Sequence, residues 1–140
     1  MITFNEVSVI GCDINYHDVE TWINVVISDQ NKNLDCINFV FCSDDYLLDV
    51  NNKYLNHDYY TDVITFDYGR DIILSDVFIS VDRVKDNASV LGVMYFQELL
   101  RVMVHAVLHL CGFVDKTDDE EMLMRTMEDK YLALFVSRET

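Results

Sequence analysis

The hydrophobic positions in the first third of the chain change between the two-residue period of strands and the longer period of helices. Residues 2–9 alternate polar and apolar side chains, which predicts a half-buried strand. Over about 18–29 the apolar residues recur at intervals of three and four, which predicts a helix with one buried stripe. The run INFVFC at 37–42 then predicts a buried strand.

A helix start and a pair of strands follow. Ser43 offers a capping hydroxyl, and the two aspartates after it suit the positive end of a helix dipole, so a helix is expected from there to about Tyr54. The segments 62–66 (DVITF) and 72–80 (IILSDVFIS) have the composition of strands, and Gly69 between them indicates a turn. Together these segments predict a hairpin.

Two helices are predicted in the last third. Segment 95–111 is apolar nearly all round, which is typical of a central buried helix, and Gly112 is suited to end it in a left-handed conformation. Thr117 and Glu120 have the spacing of a capping box at the start of a last helix. The apolar stripe predicted for that helix consists of Leu123, Met124, Met127, Tyr131, Leu134 and Phe135.

Interleaved strands and helices favour an α/β or α+β layer fold, with helices packed on one small mixed β-sheet. A length of 140 residues suits one domain, so we expect residues 1–140 to form a single unit. The central buried helix would carry the candidate metal ligands of this unit.

Composition narrows the class of function. The chain is 51% hydrophobic, which predicts an ordered core, and carries 25 acidic against 10 basic residues, for a net charge of -15. Such a negative field repels polyanions at long range. It argues against non-specific nucleic-acid binding but leaves room for a local site.

Several features predict a cytoplasmic protein without a membrane segment. The N-terminus has neither the basic start nor the long apolar stretch of a signal peptide. The only candidate span, 95–111, is short and contains charged residues and two histidines. Because the cysteines lack paired spacing, free reduced thiols are expected at Cys12, Cys36, Cys42 and Cys111.

The segment HAVLHLCGFVD, residues 105–115, predicts a metal site. His105 and His109 lie four residues apart, so on a helix their side chains share one face. Gly112 lets the chain turn back, and Asp115 follows three residues later, in the layout of the longer metzincin signature. Since a carboxylate oxygen can serve as a third ligand, we predict one Zn²⁺ ion bound by His105, His109 and Asp115.

Other interpretations of this segment stay open. Two histidines on a buried helix are often ordinary core residues, and only the added Gly112 and Asp115 favour metal binding. Three ligands leave a position for water, as in catalytic zinc sites. However, Ala106 stands where an HExxH metalloprotease has its glutamate general base, and this difference disfavours peptide hydrolysis. Glu98, on roughly the same face, either supports the ligands or pairs with Arg101.

The same segment resembles the signature HGxLHLxGxDH of the YbeY endoribonucleases. It matches at His105, Leu108, His109, Leu110 and Gly112. The family's upstream motifs LN, TDVLSF and GDI are similar to Leu55–Asn56, Thr61–Phe66 (TDVITF) and Ser75–Val77 (SDV).

The resemblance implies a single-strand-specific, metal-dependent endoribonuclease that acts in ribosomal RNA maturation and ribosome quality control. RNA, in the form of an rRNA precursor, would be the substrate, and ribosomal or ribosome-associated proteins would be further partners. Thr61 and Asp62 would line the substrate cleft, with strand-end hydrogen bonding as the other role open to them.

The sequence departs from the family pattern at two functional positions. Asp115 stands at the third histidine of the family. The family's assisting arginine has no counterpart in 57–60 (HDYY), so the catalytic residue is unknown and the candidate substitutes are His57, Arg70 and Arg83. This loss and the acidic charge favour an alternative function, a catalytically weak, metal-stabilised module that binds ribosome-associated proteins. A metal-dependent hydrolase of another substrate is the third possibility.

Overall fold

The structure, a computed structural model, describes residues 1–9 and 14–139, the last four of these by their backbone alone. Four strands and five helices are present in this part of the chain. The strands are Ile2–Val7 (β1), Leu34–Cys42 (β2), Val63–Asp67 (β3) and Ile73–Ser80 (β4). The helices are Tyr16–Asp29 (α1), Asp44–Leu55 (α2), Val81–Leu91 (α3), Tyr95–Leu110 (α4) and Asp118–Glu139 (α5).

The strands form one mixed sheet in the order β1-β2-β4-β3. β1 and β4 pair with β2 in parallel, whereas β3 pairs antiparallel with β4. The parallel pairs need crossover connections, and α1 provides the one between β1 and β2. Gly69 lies in the turn between β3 and β4, where a Cβ atom would approach the carbonyl oxygen of Ile72 to 1.8 Å. The predicted layer fold and its hairpin are confirmed.

Alternation along the strands separates two hydrophobic clusters, one on each face of the sheet. In β4, Val77 and Ile79 belong to a large cluster with residues of α1, α4 and α5, while Phe78 packs on a smaller cluster with residues of α2. Helix α2 therefore covers one face, and α1 and α4 cover the other.

Helix α4 is the central helix of the large cluster, as predicted. It contacts α1, α3, α5 and the strands β3 and β4. Nine of its 16 residues are buried, most of them aliphatic. Because each fully buried aliphatic side chain contributes roughly 1.5–3 kcal/mol, the packing holds this helix firmly in place. The two histidines of α4 are thus carried on a fixed backbone.

The predicted helix caps are present. The Ser43 hydroxyl accepts a hydrogen bond from the backbone N–H of Tyr46 at 3.2 Å. The Thr117 hydroxyl accepts from the backbone N–H of Glu120 at 3.2 Å, and the Glu120 carboxylate accepts from the N–H of Thr117 at 2.9 Å. This reciprocal pair fixes the start of α5, the helix that packs beside the histidines.

Two elements differ from the prediction in the chain before α4. Strand β1 ends at Val7 instead of residue 9, because Ser8 has a φ of 64° and so leaves the extended conformation. Helix α3 was not predicted at all. The hydroxyl of Ser80 caps it by accepting from the N–H of Arg83, and Gly92 ends it with a φ of 70°.

The predicted stripe of α5 is wrong at two positions. Leu123 and Leu134 are 52% and 37% exposed, whereas Met124, Tyr131 and Phe135 are buried. At 3.6 residues per turn, Leu123 and Leu134 lie roughly 80–100° around the helix from the buried line, which places them beyond its edge.

The cysteines that can be placed agree with the prediction of thiols. Cys36 and Cys111 are free, and the thiol of Cys42 donates to the carbonyl oxygen of Ile79. Cys12 lies outside the described residues. Across residues 1–9 and 14–139, no individual helix has both the length and the apolar character needed to cross a membrane; α3 and α4 meet that test only as a pair bent by 115°.

Candidate metal centre

Helix α4 brings the two histidines together near its C-terminal end. The Nε2 atoms of His105 and His109 are 3.0 Å apart. Both side chains are partly exposed although the helix itself is largely buried, so this face of α4 reaches solvent. The four-residue spacing thus produces the shared face that the sequence predicts.

The turn after α4 returns the chain to this face. Gly112 has a φ of 108°, and the N–H groups of Gly112 and Phe113 donate to the carbonyl oxygens of His109 and Leu108, both at 3.0 Å. This bonding pattern is the Schellman motif, which needs a residue with positive φ. Asp115 follows the turn, and its Oδ2 atom lies 3.5 Å from Nε2 of His105 and 3.4 Å from Nε2 of His109.

The three ligand atoms form a triangle of the size that a tetrahedral zinc site requires. Its sides are 3.0, 3.4 and 3.5 Å. Ligand bonds of about 2.0–2.1 Å at tetrahedral angles place neighbouring ligand atoms about 3.3–3.4 Å apart. We call these three atoms the ligand triangle. Among the described residues, these three side chains form the cluster of histidine, cysteine and acidic groups that could hold a metal ion.

The far side of each imidazole fixes which nitrogen faces the triangle. Nδ1 of His109 is 2.9 Å from the carbonyl oxygen of Phe113, and Nδ1 of His105 is 2.7 Å from a carboxylate oxygen of Glu128. Both partners accept hydrogen bonds, so in the neutral rings the proton is on Nδ1 and the lone pair is on Nε2. Two lone pairs and a carboxylate oxygen then face one point, an arrangement that a cation stabilises.

Glu128 contacts the ligand triangle through His105, and the sequence analysis did not identify it. It is only 4% exposed, and its second oxygen accepts a hydrogen bond from Nη1 of Arg101 at 2.8 Å. Arg101 also binds Asp129, at 2.7 Å. A signal was available, because Glu128 follows Met124 by four residues and so places an acidic group on the buried stripe of α5.

Charges near His105 oppose the effect of its burial. Burial lowers the pKa of His105, but the hydrogen bond and charge of Glu128, helped by Asp115 and Asp62, raise it above its ordinary value overall. Burial likewise raises the pKa of Glu128, but its bonds to His105 and Arg101 bring the pKa below its ordinary value. The pair is thus held with Glu128 as carboxylate.

The role of Glu128 can be tested by replacing it with glutamine. We expect Glu128→Gln to weaken zinc binding by roughly 10–100-fold, because an amide binds the His105 Nδ1 proton less strongly than a carboxylate does. Competition with a chromophoric chelator would measure the affinity. Asp129→Asn is the matched control, since Asp129 shares Arg101 but is an exposed residue of α5 outside the ligand contacts. Equal affinities in Glu128→Gln and wild type would contradict this role.

Within the described part of the chain, two of the openings adjoin the ligand triangle. The first, the α5 cleft, has a volume of about 540 Å³ and is lined by His105, Asp115, Asp118, Glu121, Arg125 and Glu128, together with two methionines. The second, the β3 cavity, has a volume of about 220 Å³ and lies where β3 begins. Its polar lining consists of Asp62, Glu98, Arg101, His105, Arg125 and Glu128.

Of the predicted substrate-binding residues, Thr61 and Asp62, and the predicted supporting residue, Glu98, only Asp62 and Glu98 lie beside the ligand triangle. Asp62 lines the β3 cavity, and burial raises its pKa; Thr61 precedes it but does not line either opening. Glu98 lines the same cavity and burial raises its pKa as well. Among the described residues it is Glu128, and not Glu98, that bonds His105 and pairs with Arg101.

The three candidate substitutes for a catalytic arginine lie elsewhere. Arg83 binds Asp44 at 2.6 Å, and Arg70 lines a separate opening. The ring of His57 accepts from or donates to the hydroxyl of Tyr59 at 3.0 Å. None of the three lines the α5 cleft or the β3 cavity.

Comparison with known proteins supports a single family. A family model described as Endoribonuclease YbeY matches residues 6–136. The chain belongs to the YbeY family. The resemblance noted in the sequence is thereby confirmed.

Relatives extend over most of this YbeY-family chain. A protein named Endoribonuclease YbeY from Flavobacterium psychrophilum is 51% identical over 115 residues, which cover 81% of the chain and 82% of that relative. One of the same name from Flavobacterium johnsoniae is 44% identical over 137 residues, covering 96% and 97%. A solution structure from Thermotoga maritima shares the fold, with a TM-score of 0.75 at 20% identity, and covers 99% of this chain and 91% of that one.

The chain differs from the family signature at its third candidate ligand, and the geometry of the site accounts for this difference. Asp115 stands where the YbeY signature has a histidine, yet its carboxylate lies within 3.5 Å of both imidazoles. Cys111, two residues after His109, is directed into the core, and burial raises the pKa of its thiol to about 11. The group of ligand-type atoms that lie within 4.8 Å of one another comprises His105, His109 and Asp115 and does not include Cys111, so Asp115 is the third group of the cluster.

Proposed function

We propose that this chain is a zinc-dependent endoribonuclease that hydrolyses single-stranded RNA during ribosomal RNA maturation and ribosome quality control. One observation carries the proposal, namely that the ligand triangle of a YbeY-family chain adjoins two openings. A bound Zn²⁺ ion would supply Lewis-acid activation of water and of a phosphate oxygen. Residues 1–140 would act as one metal-dependent hydrolase domain, and an rRNA precursor as substrate would place it in the cytoplasm.

Each residue of the site has a distinct task in this proposal. His105, His109 and Asp115 hold the ion, whose net charge with one carboxylate ligand is positive. Glu128 and the carbonyl oxygen of Phe113 orient the two imidazoles. The reaction adds water across a phosphodiester, so that phosphorus gains the water oxygen and the leaving ester oxygen gains a proton. Asp62 and Glu98 line the β3 cavity, through which the RNA would approach the ion.

The acidic surface favours help from other proteins in binding RNA. A net charge of -15 opposes long-range attraction of RNA, so ribosomal or ribosome-associated proteins would bring the enzyme to its substrate. The same charge supports the second candidate, a catalytically weak, metal-stabilised module that binds such proteins. The two candidates differ in whether the isolated, zinc-loaded chain cleaves RNA.

Cleavage of a fluorescently labelled rRNA fragment with a single-stranded end tests the proposal. We expect the zinc-loaded chain to cleave it, and cleavage to stop with a strong chelator and to return when Zn²⁺ is restored. His105→Ala should abolish cleavage because it removes a ligand. His17→Ala is the matched control, since His17 is an exposed residue of α1 and takes no part in the site.

The outcomes separate the candidates. If cleavage persists in the presence of the chelator and in His105→Ala, the proposal that the cleavage depends on zinc is wrong. Tight zinc binding without any cleavage, with zinc raising the melting temperature, would instead support the metal-stabilised module.

A further inference from the structure

Arg125 lines both openings beside the ligand triangle. It lies on α5 and lines both the α5 cleft and the β3 cavity, as do His105 and Glu128. In the helix it follows Glu121 by four residues and precedes Glu128 by three, so these three side chains share one face. This face is directed to the ligand triangle, because Glu128 bonds His105.

The openings are rich in negative charge. Six carboxylates line them, those of Asp62, Glu98, Asp115, Asp118, Glu121 and Glu128, against the two guanidinium groups of Arg101 and Arg125. A phosphodiester carries a negative charge and would be repelled by such a lining. A cation that is not already neutralised is therefore needed where the phosphate approaches.

Of the two guanidinium groups, only that of Arg125 is available. Arg101 is bound by Glu128 at 2.8 Å and by Asp129 at 2.7 Å, so its charge is neutralised on the protein. The side chain of Arg125 is exposed, and no ion pair within 4.0 Å or hydrogen bond holds it to any residue in 1–9 or 14–135. Its donors are thus free to turn toward a ligand in either opening.

We propose that Arg125 binds the scissile phosphate of the substrate and stabilises the charge that builds on it in the transition state. The inference rests on the proposed function and deepens it by naming a substrate-contacting cation. A planar guanidinium can bind two phosphate oxygens side by side, while the ion at the ligand triangle would attract the same phosphate from the other side.

The variants compared are Arg125→Ala, Arg125→Lys and, as the matched control, Arg70→Ala. Arg70 lines a different opening, whose lining does not include any residue of the ligand triangle. Each variant is loaded with Zn²⁺, and its zinc content and circular dichroism are compared with those of wild type. Equal values establish that a loss of function is not a loss of fold.

The first measurement is steady-state cleavage of the single-stranded RNA. We expect kcat/KM to fall by about 10²–10³-fold in Arg125→Ala, with most of the loss in kcat, because the contact strengthens in the transition state. Arg125→Lys should recover part of the rate, because it keeps the charge without the planar pair of donors. Arg70→Ala should match wild type.

The second measurement is calorimetric binding of inorganic phosphate to the zinc-loaded proteins, which does not depend on turnover. We expect the affinity to fall by roughly 10-fold or more in Arg125→Ala, as for the loss of a charged hydrogen bond, and to be unchanged in Arg70→Ala. If wild type cleaves RNA and Arg125→Ala has the same kcat/KM and phosphate affinity, the role of Arg125 is overturned while the proposed function stands. If wild type does not cleave RNA but Arg125→Ala still loses phosphate affinity, the proposed function is overturned and the anion site stands.

Discussion

The His109→Ala variant is expected to lose stoichiometric zinc and, with it, RNA cleavage. His109 provides one corner of the ligand triangle, with Nε2 at 3.0 Å from His105 and 3.4 Å from Asp115. Removing it leaves two protein ligands, and the affinity should fall by more than the roughly 10–100-fold expected for the loss of an orienting partner. Plasma mass spectrometry of protein purified in the presence of Zn²⁺ would measure the metal content.

Two further variants make this result specific to the ligand triangle. Asp115→Ala should lose zinc as well, because its carboxylate oxygen is within 3.5 Å of both imidazoles. His17→Ala should keep the wild-type metal content, which controls for the removal of any histidine. Full zinc occupancy in both His109→Ala and Asp115→Ala would show that the ion is bound by other residues.

Trp22→Ala should cause the largest loss of stability of a single substitution in the core. Trp22 is fully buried, its ring packs edge-on against Phe135 with centroids 5.2 Å apart, and its Nε1–H donates to the backbone carbonyl of Tyr131 at 2.8 Å. The substitution creates a large cavity and breaks a buried hydrogen bond between α1 and α5. We expect the free energy of unfolding to fall by about 3–5 kcal/mol, measured by urea denaturation.

Trp22→Phe separates packing from hydrogen bonding at this position. Phenylalanine keeps much of the apolar volume but removes the Nε1–H donor to the Tyr131 carbonyl, so a loss of about 0.5–1.5 kcal/mol is expected from the missing hydrogen bond. A loss below 1 kcal/mol in Trp22→Ala would mean that α5 does not depend on this contact. Since α5 carries Glu128 and Arg125, such a result would also weaken the view that core packing holds the site together.

Periodicity and capping were sufficient to predict most of the fold. The alternation in β1 reflects burial of one face of the strand, and the apolar character of α4 reflects burial on several faces of the helix. Both kinds of burial determine which positions are apolar, so they can be identified from the sequence. Ser43 and the Thr117–Glu120 pair are local signals, because a cap forms within four residues. Helix α3 was missed because its buried positions, Val81, Val84 and Ala88, are few and follow a strand without a break.

The residues of the candidate site also fall into a group close together in the chain and a group far apart in it. His105, His109, Gly112 and Asp115 lie within 11 residues, so helix spacing and one turn suffice to bring them together. Glu128 lies 23 residues from His105, and Asp62 lies immediately before β3. No periodicity relates such residues to one another. The buried stripe of α5 marks Glu128 as an unusual position for an acidic residue but does not indicate its partner.

The amino-acid sequence alone was enough to predict the family, the order of most elements and the candidate ligands that follow from a helix and its turn. It did so because those features depend on contacts between residues close in the chain. The packing of the helices and strands was needed to show which carboxylate bonds His105, which arginine is held in ion pairs, and that His57, Arg70 and Arg83 are remote from the site. These depend on how α5 and β3 pack against α4, and packing brings together side chains whose separation in sequence carries no signal.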